Sequence, residues 1–86
     1  MEKYILLDII KPLIIKSDFN KVIKTPDLIN LESNYKKDLG FDSLDMCELQ
    51  MYCESKFNIK LDYELWVEDM SVEKSLFLIK NKIENE

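Results

Sequence analysis

Histidine is absent from the 86 residues. A serine nucleophile needs a base to take its proton, most often an imidazole, so the usual route to a hydrolytic centre is closed. Glycine occurs once and proline twice, while 47 % of the residues are hydrophobic and 34 % charged. That balance argues against a disordered or turn-rich β chain and for a mostly helical one. Long apolar runs are missing as well. Met1 to Ile15 is broken by Glu2, Lys3, Asp8, Lys11 and Pro12, so it is neither a signal h-region nor a membrane span. A cytoplasmic protein, or one soluble inside an organelle after processing, is expected.

The two cysteines, Cys47 and Cys53, lie six apart on what reads as one helix, pointing about 120° away from each other. They cannot bridge there, and without histidine they make a poor metal site, so free thiols and no metal are expected. A chain of this length forms one domain, residues 1–86, and buries only about 60–65 % of its unfolded surface. No deep active site fits in it.

Helical periodicity marks three main helices. Tyr4, Ile5, Leu7, Ile9, Ile10, Leu13 and Ile14 cover most of a first, well-buried helix, with Pro12 expected to kink or break it. From Ser17 to Lys37 the periodicity fades into a long ordered loop. Thr25-Pro26-Asp27 reads there as a turn or short-helix start, and Ile29, Leu31 and Tyr35 as anchors. Ser43 or Asp42 caps a second helix running to about Phe57, and Asn58 ends it. A connector over Ile59 to Asp62 precedes a short third helix, about Tyr63 to Glu68. Ser71 starts the last helix, with Val72, Leu76, Ile79 and Ile83 at helical spacing and Phe77 beside them.

The most informative stretch is Asp38-Leu-Gly-Phe-Asp-Ser-Leu-Asp45, which sets one serine among carboxylates at a loop-to-helix junction. With no base to activate it, Ser43 points to modification rather than catalysis. Gly40 allows the preceding turn a positive φ, and Asp38 and Asp42 suit turn-forming and capping roles. Asp45 falls in the first helical turn, where negative charge suits the dipole, and an anion joined to Ser43 gains there by about 0.3–1 kcal/mol.

Net charge is −5, and its distribution is uneven. Asp38 to Asp69 holds nine acids against Lys56 and Lys60, whereas the rest of the chain is slightly basic. Such a surface disfavours nucleic acid and steers proteins with basic patches towards it. The second helix carries two apolar stripes. Met46, Leu49, Cys53 and Phe57 follow the spacing of a core face; Leu44, Cys47 and Met51 form another line flanked by Glu48 and Glu54. The second stripe is either a docking face or the mark of a helix packed on both sides.

The octapeptide, followed by Glu48-Leu49, Met51, Glu54 and Phe57, resembles the acyl carrier proteins of fatty acid and polyketide synthesis. The likeness runs without a gap from about Tyr35 to Ile79. It implies an all-α four-helix bundle of the acyl-carrier type, with a short third helix and a long loop between the first two. In such proteins the serine matching Ser43 is esterified with the 4′-phosphopantetheine of coenzyme A by a magnesium-dependent phosphopantetheinyl transferase, and the arm's thiol carries acyl groups as thioesters. The protein is then a non-catalytic carrier and the transferase's substrate. Further partners implied are acyl-transfer, condensing and reducing enzymes with basic docking patches, each met briefly by a monomer.

Docking positions carried over are Asp42, Leu44, Asp45, Cys47, Glu48, Met51 and Glu54. An acyl cleft between the second and third helices would be lined by Leu49, Cys53, Phe57 and Leu61. The chain departs from the family in its longer segment before Ser43. It departs again at Ser55 and Lys56, where further acids are common, and at Trp66 and Asp69, which replace small aliphatic residues and are expected to fill or alter the cleft. A carrier loaded by an adenylate-forming ligase, with a peptidyl, aryl or D-alanyl cargo, is the alternative. Asp42 before the serine leans away from it, since peptidyl carriers commonly have histidine there. An unmodified helical interaction module is a third reading, with a free-standing hydrolase using Ser43 beside it, against which the absence of histidine and of a G-x-S-x-G elbow counts.

Overall fold

The first helix, α1, spans Lys3–Ser17 and is opened by Glu2, whose carboxylate accepts the N–H groups of Tyr4 and Ile5 at 2.9 and 3.3 Å. The computed structural model describes residues 2–66 and 69–85. A single 3-10 turn, Pro26–Leu28, interrupts the loop that follows. Then come α2 (Ser43–Phe57), α3 (Tyr63–Trp66) and α4 (Val72–Asn85). The described residues are thus all-helical, with four α-helices and no strand, as expected of an acyl-carrier-type bundle. The part of the expected third helix that extends to Glu68 lies outside the described residues.

Pro12 sits inside an unbroken α1, contrary to the expected kink or break. Proline removes one N–H, leaving the Asp8 carbonyl without its helical partner. Both residues are exposed, on the side of α1 away from the core, where a freed carbonyl costs little. The helix is also buried on one face rather than most of its circumference. Leu6, Leu7, Ile10 and Ile14 enter the core while Tyr4 and Ile5 stay exposed.

The long loop is built rather than slack. Asp18, at the end of α1, is buried, and its carboxylate accepts the N–H groups of Val22 at 3.1 Å and Ile23 at 2.6 Å. Ile23, Ile29, Leu31, Tyr35, Leu39 and Phe41 all reach the core, and the Tyr35 and Phe41 rings lie 5.6 Å apart. The loop also closes on the start of α4. The Val72 N–H donates to Ser33 O at 2.8 Å, the Glu73 N–H to Leu31 O at 3.1 Å and the Lys74 N–H to Ser71 Oγ at 3.2 Å. The loop thus satisfies two otherwise unpaired first-turn donors, and the Ser71 hydroxyl satisfies a third. An antiparallel bridge between Asn34 and Ser71 and a bond from Tyr35 N–H to Met70 O complete the join.

One core unites these parts, with α1 against α2 and α4, and α3 against α2. Deep within it, Ser75 donates to Val72 O at 2.6 Å, so the Tyr35 hydroxyl, 2.8 Å away, must be the donor to Ser75 Oγ. Burial pushes the Tyr35 phenol far above its ordinary pKa, which keeps it protonated as that role requires.

Candidate functional site

The turn before Ser43 is fixed by local bonds. Asp38 accepts the Asn34 N–H at 2.7 Å, the Leu39 N–H reaches Asn34 O at 3.1 Å and the Phe41 N–H reaches Tyr35 O at 2.8 Å. Gly40 takes φ +71°, the expected left-handed conformation, and a Cβ there would come within 3.3 Å of Val22. Leu39 and Phe41 are buried on either side of it. Ser43 therefore follows a clamped turn.

Asp42, not Ser43, caps α2. Its carboxylate accepts the Asp45 N–H at 3.0 Å while Asp45 accepts the Asp42 N–H at 3.0 Å, a reciprocal capping box. Ser43 is the first helical residue, exposed, and its hydroxyl takes no part in the box. The backbone bond from Asp45 holds the Asp42 carboxyl below the usual range, whereas burial lifts that of Asp45 above it. The donor set suits an esterified phosphate. An exposed hydroxyl stands at the start of a 15-residue helix, ahead of its first intrahelical bond, Met46 N–H to Asp42 O at 3.1 Å. The N-terminal dipole favours an anion there by about 0.3–1 kcal/mol. Asp42 opposes it, but that carboxylate is turned onto Asp45.

The two stripes of α2 separate cleanly. Met46, Leu49 and Cys53 are buried and Phe57 is half-buried against the core, so this is the packing face. Leu44 and Met51 are 74 % and 61 % exposed, Cys47 is half-buried and Glu48 exposed. The second stripe is open, and α2 is not packed on both sides. Burial pushes the Cys53 thiol up to about 12. Burial and the adjoining Glu48 carboxylate raise the Tyr52 phenol, and a hydrogen bond with Cys47 raises that of Tyr63.

Two acids assigned to the docking face work inside the fold. Glu54 accepts the Leu61 N–H at 2.7 Å and tethers the connector to α2, and Gln50 Nε2 binds Leu61 O at 3.2 Å beside it. Asp45 is only 4 % exposed and committed to the capping box. Among the seven docking positions, Asp42, Leu44, Glu48 and Met51 are the exposed ones.

The four expected cleft residues come together, but as core. Leu49, Cys53 and Leu61 are buried, and Trp66 is wholly buried with them. Its indole N–H donates to Met46 O at 2.8 Å, joining α3 to the packing side of α2. A shallow opening of about 190 Å³ lies nearby, lined by Leu61, Leu65, Trp66 and Leu78. A larger groove, about 650 Å³, lies on the other side, between the end of α1 and the start of α2. The sequence reading missed it because Phe19, which walls it, stands in a stretch without periodicity.

A family model described as a phosphopantetheine attachment site matches residues 14–75. An acyl carrier protein of Wolinella succinogenes is 49 % identical over 39 residues, covering 45 % of this chain and 51 % of the relative. One from Nitratidesulfovibrio vulgaris is 39 % identical over 51 residues, 59 % of this chain and 67 % of the relative. One from Cylindrotheca sp. is 36 % identical over 58 residues, 67 % of this chain and 72 % of the relative. The chain spans about half the length of the Wolinella relative it matches.

Proposed function

Since the chain belongs to the phosphopantetheine-attachment family, we propose that it is an acyl carrier whose 4′-phosphopantetheine is esterified to Ser43. It moves intermediates between enzymes of fatty acid biosynthesis or a related pathway. The observation that carries this is the division of labour at the start of α2: Asp42 and Asp45 complete the cap between themselves and leave the Ser43 hydroxyl exposed.

When bound, the arm supplies a thiol that holds acyl groups as thioesters. The protein's own residues position and present it. Gly40, Asp38 and the buried Leu39 and Phe41 fix the approach to the serine. Ser43 gives up its hydroxyl proton to a base from the transferase, because this chain has no histidine to take it, and its oxygen displaces adenosine 3′,5′-bisphosphate from the pyrophosphate of coenzyme A. Leu44 and Met51 offer apolar contact, and Asp42 and Glu48 meet basic side chains of the transferase and of acyl-transfer, condensing and reducing enzymes. Weak, salt-sensitive contacts of this kind suit a single-domain monomer that visits several enzymes in turn.

Incubation with coenzyme A and a broad-specificity phosphopantetheinyl transferase should add one phosphopantetheine mass, and Ser43→Ala should abolish the gain. An unchanged intact mass, or an adduct that survives the substitution, refutes the assignment.

A further inference from the structure

We propose that Phe19 is a docking anchor for the transferase that modifies Ser43, which seats an aliphatic side chain, with a lysine or arginine beside it, in the groove between α1 and α2. The inference rests on attachment at Ser43. At 83 % exposure Phe19 is the most open large apolar side chain among the described residues. The core does not hold it, yet the chain fixes it in place. The Phe19 N–H donates to Ser17 O at 2.9 Å and the Lys21 N–H to Asp18 O at 3.2 Å, while the buried Asp18 carboxylate takes the N–H groups of Val22 and Ile23. Lys21 closes the turn at φ +57°, a left-handed conformation that residues with a Cβ take at a small cost. A ring displayed on so constrained a turn loses little entropy when a partner covers it.

Position selects the partner. Phe19 walls the groove of about 650 Å³ that Asp42 and Leu44, the residues on either side of Ser43, also line. An enzyme that brings the serine oxygen to the pyrophosphate of coenzyme A must cover this ground, and Phe19 with it. Leu44 and Cys47 continue the groove into the open stripe of α2, so one surface of the enzyme meets both.

Charge selects the chemistry of what enters. The exposed carboxylates of Asp42 and Glu48 stand on the groove, whereas Lys16, the cation among its lining residues, lies 4.5 Å from the centre of the Tyr52 ring. Phe19 and Leu44 supply the apolar walls. Acid beside apolar surface fits an aliphatic side chain with a basic one next to it, and disfavours an acidic or wholly polar element.

The test is the steady-state modification of the 86-residue protein by a phosphopantetheinyl transferase at saturating coenzyme A. Phe19→Ser should raise KM for the protein substrate about tenfold, as the loss of an interface anchor does, and leave kcat unchanged. Phe19→Leu keeps an apolar contact and should fall between the two. Leu28→Ser removes an exposed leucine of the same loop that lies outside the groove, and should match the parent. A parental KM in Phe19→Ser, or an equal rise in Leu28→Ser, overturns the anchor. So does a parent that sediments as a dimer and a Phe19→Ser variant that does not, which would give the groove to a second copy of the chain. A parent that gains no phosphopantetheine mass overturns attachment at Ser43 instead, a result that intact mass reads separately.

Discussion

Trp66 donates its indole N–H to the main-chain carbonyl of Met46, 20 residues earlier, at 2.8 Å with no part of the ring exposed. That bond pins α3 to the packing side of α2. The position was expected to differ from its relatives, and the difference is used to seal the bundle.

Replacing Trp66 tests the seal. Trp66→Phe loses the hydrogen bond and part of the buried volume, and should destabilise the fold by about 1–3 kcal/mol. Trp66→Ala should lose about 3–5 kcal/mol. Urea unfolding followed by circular dichroism measures both, and a loss under about 0.5 kcal/mol in the phenylalanine variant would mean the indole holds nothing.

The capping box gives a pH signature. Burial raises the Asp45 carboxyl, so its ionised form is disfavoured in the fold. Its contribution to stability is therefore greatest at acid pH and falls as pH rises from the unfolded pKa through the folded one. Asp42 is lowered and runs the other way, adding stability above its unfolded pKa that disappears as pH falls through the folded one. Asp45→Asn keeps an acceptor for the Asp42 N–H and discards the charge. It should be more stable than the parent at neutral pH and equal to it near pH ~3, below the ordinary carboxylate pKa. A variant less stable at both pH values would show that the charge helps the helix more than burial opposes it.

The two thiols should differ sharply. Cys53 is buried and its thiol pushed up to about 12, whereas Cys47 is half-exposed on the open stripe. The thiolate is the reactive form, so iodoacetamide at neutral pH should modify Cys47 in the folded protein and reach Cys53 only on unfolding. Peptide mapping of the labelled protein decides this. Equal labelling of both sites in the folded state would contradict the buried stripe.

Glu48→Lys should leave helicity intact and slow modification by the transferase by up to about fivefold at low salt, from about 0.2–1 kcal/mol for an exposed charge pair. The defect should shrink as salt rises, because screening shortens to about 10 Å at 0.1 M. Rates unchanged at every salt concentration would remove Glu48 from the docking surface.

Much of this was legible in particular residues. Gly40 announced a left-handed turn, Asn58 a helix end and the spacing on α2 two separate stripes, because each follows from backbone sterics or helical spacing; that the second stripe is open came only with the structure. Other features depend on groups that are distant in the chain or hidden from periodicity. Glu54 lies at a docking position in the pattern, but the Leu61 N–H seven residues on claims its carboxylate. Pro12 reads as a breaker until the carbonyl it orphans is found on the wet side of α1. Asp18 falls in the stretch without periodicity, though an aspartate just beyond a helix is a signal for a carboxylate that ties down backbone N–H groups, here those of Val22 and Ile23.

The loop that joins Asn34 to Ser71 has a consequence for the order in which the molecule takes shape. During synthesis the turn bearing Ser43 is made before the segment from Met70 to Glu73 against which Ser33, Asn34 and Tyr35 pair. Until that later segment arrives, the strap has no counterpart and the serine has sequence but no setting. Contacts this far apart in the chain are slow to close. The acceptor site therefore matures with the last helix, and a nascent chain displays it only after most of the fold exists.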